Sequence, residues 1–469
     1  MILKPGDPDQ MEFSCRSDLV KEEPLVKVIS EVVKSLDLGG LYNRYSESGR
    51  SFYDPSMLLK VLFFGYCDKV RSSRELYKHI CYDIRYRYFC GSLRPDFRTI
   101  NRFRKDNLDL LGDYFAQIVL LCREKGLVDS SLLCLDGTKL RASANGRGKG
   151  RKGERGKLEH AFRVKLTEDI KAEEEEAESS DEGGSCGDCD VSDADARYMK
   201  TSEGSIRLSY NSQIVVDRNQ IIVAADVSNN ADDSVHFQGM LEQSKRNLDG
   251  GMDKLAADGG YCSGPNLKYA ARRGIDLYLP VSKTGKVPDV RFHRDEFVYE
   301  KESDRYRCPA GKHLLYRRTR IHRGVTSRIY AGSSATCGRC QFRCRCTKMR
   351  VREIQISEYY VYEQEMKAKL QNEKGRFTYD QRKFLVEPVF GNIKFNLGFV
   401  RYALRGLAKV RGEFLLICIA HNLKKLASHW KRLSSAKTAK YSLLQPFYLL
   451  LLQILGPKYS IYRYRPAYI

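Results

Sequence analysis

Residues 132–139 read Leu-Leu-Cys-Leu-Asp-Gly-Thr-Lys, an apolar run typical of a strand that carries one carboxylate, Asp136. A second run, Lys-Leu-Ala-Ala-Asp-Gly-Gly-Tyr at 254–261, carries Asp258, and Phe-Leu-Val-Glu-Pro-Val-Phe-Gly-Asn-Ile-Lys at 384–394 carries Glu387 beside a helical pattern. We expect each Asp to stand at the end of its strand, where a site can form. Three carboxylates brought together can hold two Mg²⁺ or Mn²⁺ ions, because hard cations take oxygen ligands. Two such ions promote phosphoryl transfer.

The combination of the three acids carries this prediction, because an Asp before Gly is by itself more often a turn former. Glu387 precedes Pro388, and a residue before proline avoids the α region. Two placements are therefore open. A helix can begin at Pro388 with Glu387 at its cap, or it can begin near Thr378, whose Thr-Tyr-Asp-Gln fits a capping box, and kink at Pro388.

The charge balance indicates a polyanionic partner. The 469-residue chain has a formal net charge of +22, and its length corresponds to two to four domains. An acidic stretch at 168–195 contributes −12, so the remainder carries +34. Such a surplus favours nucleic acid as a partner, with a generally basic protein as the alternative.

Composition argues against a disordered, membrane-spanning or disulfide-bonded protein. The chain is 42% hydrophobic, and its N-terminus is polar and proline-broken, which is untypical of a signal peptide. The apolar run at 447–455 is too short for a bilayer, which needs about 20 residues, so we expect a buried helix and no membrane partner. Fifteen cysteines, several of them single in apolar patterns, suit a reducing cytoplasm.

The first 125 residues are predicted to form a helical domain. Asp54-Pro55 fits an N-cap followed by proline at the first helical position, Ser72 and Glu75 fit a capping box, and Asp96 is a further candidate cap. Short helices with arginine-bearing faces are typical of a helix-turn-helix DNA-binding module. A plain helical bundle explains the pattern about equally well.

The rest of the chain predicts a mixed α/β domain with insertions. We expect the first part of this domain at 130–295, with a strand at 130–145, a charged and solvated insertion at 146–195, a hairpin at 214–226 and a helix at about 234–247. A Cys-rich β insertion at 296–352 follows, then the last part of the domain at 353–430 and a tail at 431–469. This order suits a ribonuclease H type core, although periodicity alone does not select that fold.

The Cys-rich insertion is a candidate zinc site. Four thiolates can bind Zn²⁺ tetrahedrally, and the candidates are Cys308, Cys337, Cys340 and either Cys346 or Cys344, with Cys346 preferred. Reduced thiols in a basic β segment are the alternative. Near the end of the domain, His421 and Asn422 lie in an apolar helical pattern, which favours structural roles for both.

These segments together resemble the DDE transposases of prokaryotic insertion sequences, in the group with a Tyr/Arg/Glu/Lys signature around the last acid. The signature here is Tyr379, Arg382, Glu387 and Lys394. Four residues instead of the usual three separate Arg382 from Glu387, so Lys383 competes with Arg382 for that role. The segments at 52–60, 98–104, 193–197, 210–213, 258–261, 386–394, 405–407 and 420–425 also resemble this family, and the Cys cluster resembles an insertion found in one branch.

The resemblance implies a ribonuclease H-like core with Asp136, Asp258 and Glu387 as catalytic ligands of Mg²⁺ or Mn²⁺. It further implies cleavage at element ends and strand transfer into target DNA, in a prokaryotic, nucleoid-associated cytoplasmic protein that is at least dimeric on DNA. The expected DNA contacts are Lys394, Arg382, Arg98, Arg102 and Arg104. Two alternatives stay open: a metal-dependent nuclease without strand transfer, and a non-catalytic DNA-binding protein derived from a transposase.

Overall fold

The computed structural model describes residues 15–45, 52–144, 193–201, 204–281, 292–322 and 324–455. The predicted charged insertion lies outside these residues as far as residue 192. The fold is mixed α/β, with helices at both ends of the chain around two sheets.

The N-terminal part is helical, as predicted. Its helices are α1 (Arg16–Leu19), α2 (Pro24–Ser35), α3 (Gly39–Tyr42), α4 (Pro55–Cys67), α5 (Ser73–Tyr82), α6 (Ile84–Cys90), α7 (Phe97–Asp106) and α8 (Leu111–Glu124). Asp54 caps α4 by accepting from Ser56 N, and Asp96 caps α7 by accepting from Thr99 N at 2.7 Å. The predicted capping box at α5 is wrong in its contact, because Ser72 stands at the N-cap without a side-chain hydrogen bond.

The first sheet has the order β4-β3-β1-β5-β6. Strand β2 pairs with the first half of β3, on the same edge of β3 whose second half pairs with β4. Strand β3 runs antiparallel to β1, β2 and β4, whereas β5 and β6 run parallel to β1. The strands and the helices between them are β1 (Leu133–Arg141), β2 (Arg197–Lys200), β3 (Ile206–Val216), β4 (Ile222–Ser228), α9 (Phe237–Asn247), β5 (Lys254–Ala257), α10 (Gly264–Arg272) and β6 (Asp276–Tyr278).

Asp136 does not end its strand. It is the fourth of nine residues in β1 and pairs with Ile214 of β3, so that expectation is wrong for Asp136. The strand continues because β3 supplies a ladder partner as far as Arg141. Asp258 does follow the last residue of β5, as expected.

The second sheet is antiparallel, in the order β11-β10-β9-β8-β7. It has a small core of its own, formed by Phe297, Tyr306, Leu314, Tyr330 and Ile354. Its last strand lies beyond residue 352, so the predicted end of the Cys-rich insertion falls a strand too early. The elements are β7 (Val298–Glu300), β8 (Arg305–Arg307), β9 (His313–His322), β10 (Val325–Ala331), α11 (Ser334–Gly338), α12 (Arg343–Cys346) and β11 (Glu353–Ser357).

Three long helices complete the fold: α13 (Tyr360–Gln371), α14 (Glu373–Gly391) and α15 (Leu407–Leu455). Helix α14 begins at Glu373 with Asn372 as its cap and runs through Pro388 into a π-helical turn, Asn392–Asn396. Both predicted starting points, Pro388 and Thr378, are therefore wrong. Helix α15 passes through the predicted boundary at residue 430. Within the described residues, no helix combines the length and apolar character that a membrane crossing requires.

A single hydrophobic core joins the N-terminal helices to the first sheet. Helix α15 packs against α2, α4 and α8 and also against β4. Its side chains from Leu416 to Ala420 are almost completely buried, which is typical of a helix surrounded by partners on all sides.

Candidate active site

Asp136 and Asp258 meet at the guanidinium of Arg382. Parallel pairing of β1 with β5 places the two acids on neighbouring strands, and α14 packs across both strands. Arg382 donates from Nη1 to Asp136 Oδ2 at 3.0 Å and from Nη2 to Asp258 Oδ1 at 3.3 Å. Two of the three predicted catalytic acids are thus brought together with one residue of the predicted signature.

The two aspartates differ in solvent access. The side chain of Asp136 is 22% exposed and that of Asp258 is 54% exposed. Burial raises the pKa of Asp136 to about 6, and the Arg382 charge and the Gly137 N–H oppose that rise. Asp136 therefore forms the inner wall of the site, and Asp258 forms its open side.

Arg382 is the inward-facing cation of α14. Its side chain is 9% exposed and packs on the Tyr379 ring at 5.8 Å, whereas Lys383 is exposed. Burial opposes its charge, but Asp136 and Asp258 keep the pKa of Arg382 above its ordinary value. Among the described residues, its buried Nε has no hydrogen-bond partner, so one donor inside the site stays available.

Glu387 lies on a different side of α14. Five residues of α-helix after Arg382 amount to a rotation of about 140° and a rise of about 7.5 Å, and Glu387 is exposed. The three acids do not form a group with ligand atoms within 4.8 Å of one another in the described chain. A two-ion site spans more than that, since the ions themselves stand about 3.5–4 Å apart.

Pro388 leaves a backbone acceptor open one turn before it, because proline has no N–H to bond the carbonyl of residue i−4. That carbonyl, Phe384 O, accepts from Gln220 Nε2 at 3.3 Å. Gln220 lies in the β3–β4 turn with φ of 64°, and its own carbonyl is 2.8 Å from His421 Nε2. The segment that carries Glu387 is thus tied to both the hairpin and α15.

His421 and Asn422 have the predicted structural roles. Asn422 pairs with the backbone of Ile222 through both its amide atoms, at 2.9 and 2.8 Å. His421 Nδ1 lies 2.9 Å from Asn392 Nδ2. Since Nε2 faces a carbonyl, the tautomer that satisfies both contacts carries its proton on Nε2.

The sequence prediction missed a fourth carboxylate, Asp233. Its oxygens accept from Lys139 Nζ at 2.9 and 3.0 Å, from Asn211 Nδ2 at 2.8 Å and from Gln213 Nε2 at 2.8 Å. Tyr261 in turn donates to Gln213 Oε1. The available signal was Asp232-Asp233 after the predicted hairpin, combined with the polar Asn211 and Gln213 inside a buried strand.

Gly137 has a packing role in this network. A Cβ at this position would lie 2.5 Å from Gln213 Nε2. A side chain after Asp136 would therefore have to displace the Gln213 amide, so this glycine serves close packing within a strand and not a turn.

The residues predicted to contact DNA differ in their exposure to solvent. Arg98 and Arg102 are exposed, four residues apart on α7, and Lys394 is half-buried with Nζ 5.9 Å from the Phe390 ring centre. Arg104 is buried and donates to Arg71 O at 2.7 Å and to Asn101 Oδ1 at 2.9 Å. The burial of Arg104 argues against the predicted DNA contact, because its charge faces the interior, where it also acts on the buried Glu413.

Four cysteines of the second sheet surround one cavity of about 30 Å³: Cys308, Cys337, Cys340 and Cys346. Cys344 is exposed and does not line this cavity. Burial raises the pKa of the Cys346 thiol, and the other three cysteines add to that rise. A Cβ on Gly332 would lie 2.6 Å from Cys337 Sγ. The four sulfurs are not gathered within 4.8 Å in the described chain, so an ion would have to draw them inward.

A cluster of two carboxylates and one histidine lies outside this site. The ligand atoms of Asp68, His79 and Asp83 lie within 4.8 Å of one another. Arg85 already occupies this cluster, since it donates to Asp68 at 3.0 Å and to Asp83 at 2.7 Å. We assign it a structural role in holding α4, α5 and α6 together.

The donor set of the Asp136 site fits a hard divalent cation. It offers carboxylate oxygens only, and Arg382 now balances two of those charges. Oxygen donors of this kind suit Mg²⁺ or Mn²⁺ rather than a soft metal. A phosphodiester could reach the site from the side of Asp258, which is open to solvent.

Two family models match the chain. A transposase DDE domain matches residues 307–427, and a transposase domain (DUF772) matches residues 14–106. The first contains Arg382 and Glu387, whereas Asp136 and Asp258 lie before it. No curated protein matched. Among solved structures, the chain is similar to a cryo-EM structure of a piggyBac transposase synaptic complex with hairpin DNA, at 11% identity and a TM-score of 0.33, covering 89% of this chain and 76% of that one. A TM-score this low does not establish a common fold.

The matched segments fall on the two ends of the described fold. One comprises helices α1 to α7, and the other comprises strands β9 to β11, helices α13 and α14 and much of the buried part of α15. Both family models describe transposases, and the chain belongs to the DDE transposases of the insertion-sequence type.

Proposed function

We propose that Asp136, Asp258 and Glu387 are the metal-binding carboxylates with which this DNA transposase cuts and joins DNA. The junction of Asp136, Arg382 and Asp258 carries the proposal, because strands far apart in sequence bring two acids to one cation. The sheet order β4-β3-β1-β5-β6, with β3 antiparallel to β1, supports a ribonuclease H-like core. Glu387 would join from α14.

DDE transposases depend on divalent metal, and we propose Mg²⁺, with Mn²⁺ as a substitute. Bound there, such ions would supply activation of water and stabilisation of the leaving oxygen. The chain's own residues fix the acids: Arg382 orients Asp136 Oδ2 and Asp258 Oδ1, and Gly137 N–H holds Asp136 Oδ1 at 2.9 Å.

The substrates we propose are the terminal inverted repeats of the element and a target DNA. Hydrolysis of a phosphodiester at the element end frees a 3′-hydroxyl. This hydroxyl then attacks the phosphorus of a target phosphodiester, which joins the element to the target and releases the target's own 3′-hydroxyl. The exposed Arg98 and Arg102 and the cation Lys394 would contact DNA phosphates. Two ends must be held together, so we expect at least a dimer on DNA.

A cleavage assay on end-bearing duplex DNA with Mg²⁺ tests the three acids. Asp136→Asn, Asp258→Asn and Glu387→Gln should each abolish cutting while leaving DNA binding intact. Asp380→Asn is the matched control, because Asp380 is an exposed acid on the same helix, and it should cut at the wild-type rate. Cutting at the wild-type rate by any of the three variants would remove that acid from the site.

The same reaction distinguishes the two alternatives. Strand-transfer products joined to target DNA identify a transposase that completes both steps. Cut ends without joined products identify a nuclease. Binding that is unchanged by EDTA, with no cutting under Mg²⁺ or Mn²⁺, identifies a non-catalytic DNA-binding protein.

We also propose a structural Zn²⁺ held by Cys308, Cys337, Cys340 and Cys346. The shared cavity and the effect of the other three thiols on the pKa of Cys346 support this ligand set, as does the exposure of Cys344. As the location we propose a reducing prokaryotic cytoplasm, which suits the single cysteines in apolar patterns.

A further inference from the structure

The second sheet lies in the most one-sidedly charged part of the chain. Residues 305–352 contain fourteen Lys/Arg and no Asp/Glu. The proposed catalytic acids lie outside this segment, and a zinc site would use its cysteines alone. Neither function accounts for the arginines, which therefore need a separate explanation.

Strands β9 and β10 form a hairpin that presents several of these arginines, and we call it the basic hairpin (residues 313–331). Along β9 only Leu314 is buried, where it joins the small core with Tyr306 and Tyr330. Arg317, Arg318 and Arg320 are exposed. The hairpin is thus anchored at its base and presents its outer part to solvent.

The register of the hairpin fixes where these cations point. Arg318 pairs with Ile329 and Arg320 pairs with Ser327, so the two arginines share one face of the ribbon. On β10 the pairing register shifts between Ile329 and Tyr330, which pair with Arg318 and Tyr316, so Arg317 lies across from this shift. Three cations consequently lie within four residues of a two-stranded ribbon.

Among the residues that the structure describes, no arginine of β9 forms an ion pair as short as that of Arg328. Arg328 is held by Asp304 at 2.5 Å and lies over the rings of Tyr316 and Tyr330, so its role is structural. Arg318 meets Glu353 at 3.6 Å with both side chains about half exposed. Exposed pairs at such a distance contribute little to stability and would yield readily to a phosphate.

We propose that the basic hairpin is a DNA-binding arm that holds the phosphate backbone through Arg317, Arg318 and Arg320. This inference rests on the proposed function, which supplies DNA as the partner. A two-stranded ribbon fits the major groove of DNA, and duplex DNA presents about one negative charge every 1.7 Å along its axis. Contacts of this kind give affinity without sequence preference.

Salt dependence of DNA binding tests the arm. The full-length triple variant R317S/R318S/R320S and the wild type are titrated with an end-bearing duplex and with an unrelated duplex between 50 and 300 mM NaCl. Each phosphate contact contributes about 0.9 to the slope of log K against log salt. The slope of the variant should therefore be shallower by about 2 to 3 on both duplexes.

Two further variants serve as controls. R317K/R318K/R320K keeps the charges and should keep the wild-type slope. K125S/K245S/R246S removes the same charge from α8 and α9, outside the second sheet, and should also keep it. An unchanged slope for R317S/R318S/R320S would contradict the proposal that the basic hairpin binds DNA. An equal decrease in slope for K125S/K245S/R246S would contradict it as well.

The experiment separates the proposal that the basic hairpin binds DNA from the proposal that the three acids are catalytic. Cutting is measured in parallel with Mg²⁺ at saturating DNA. A shallower slope in the serine variant supports the arm even if the wild type cuts no DNA. If the wild type cuts DNA and the slope of the serine variant is unchanged, the basic hairpin does not bind DNA, and the assignment of the catalytic acids is unaffected.

Discussion

Arg382 holds two carboxylates at once, and this contact favours Arg382 over its neighbour Lys383 as the cation of the signature. Arg382 is buried against Asp136 and Asp258, whereas Lys383 points to solvent. Without metal, loss of Arg382 leaves two partly desolvated charges unbalanced, and breaking such a pair costs about 3–5 kcal/mol when it is buried. Since Asp258 is half exposed, solvent screening reduces this cost.

We therefore expect Arg382→Gln to lower the free energy of unfolding by about 2 kcal/mol in EDTA. Divalent cation should restore part of that loss, because it replaces the missing charge. Lys383→Gln should stay within about 0.5 kcal/mol of the wild type. Urea unfolding with and without Mg²⁺ measures both, and equal shifts for the two variants would contradict the assignment.

At this scale the sequence predicted more of the chemistry than of the geometry. Asp136, Asp258 and Arg382 were found from their local patterns, and the structure places them together. Asp233 was missed because its partners Asn211, Gln213 and Lys139 come from two other strands, and only sheet pairing brings them near. The burial of Arg104 was not predicted, because an arginine-rich helix face does not reveal which arginine turns inward.

At the scale of elements, the β3–β4 turn, α14 and α15 meet through His421. Burial lowers the pKa of His421 to about 4, against about 6.5 in an unfolded chain. Between these values the unfolded chain binds a proton that the folded chain does not, so stability falls as pH falls. This contribution is fully present above pH 6.5 and is lost progressively below it.

His421→Gln removes this titration while keeping a donor for Gln220 O. From pH 7 to pH 5 the wild type should lose about 2 kcal/mol more stability than the variant. Other carboxyls titrate in both proteins, so the quantity to measure is the difference between the two urea midpoints at each pH. Parallel pH profiles would show that His421 is not held neutral in the fold.

The zinc site proposed for the Cys-rich insertion leads to the next prediction. Protein purified without chelator should contain one Zn²⁺ per chain by elemental analysis. Cys337→Ser and Cys340→Ser should lose the zinc, because each removes one of four ligands. Cys344→Ser should keep it, since Cys344 is exposed and outside the cavity. Equal loss in Cys344→Ser would return Cys344 to the ligand set.

Elements near special residues were the least predictable from sequence. Pro388 indicated a helix start or a kink, and α14 does not start there but runs through it, while Gln220, 164 residues earlier in the chain, takes the carbonyl that proline leaves open. The caps at Asp54 and Asp96 were predicted because their partners lie two or three residues away. Local signals thus located the elements, and long-range contacts decided their ends.

For the whole molecule, one continuous core joins the N-terminal helices to the first sheet. Helices α2, α4 and α8 bury their apolar faces against α15, which also packs on β4. Arg71, which follows α4, adds polar contacts to the segment before α15, donating to Leu397 O at 3.3 Å and to Gly398 O at 3.0 Å. Without α15, the first 125 residues would expose much of their core.

We accordingly expect a fragment of residues 1–125 to lack cooperative thermal unfolding and to bind a hydrophobic dye. In the full chain, amides of α4 and β1 should lose hydrogen-exchange protection at the same urea concentration, because one core supports both. The second sheet is the internal control, since its core is separate, and its amides should lose protection earlier once zinc is chelated. Loss of protection in α4 at lower urea than in β1 would instead mean that the N-terminal helices fold as a domain of their own, docked on the catalytic part rather than built into it.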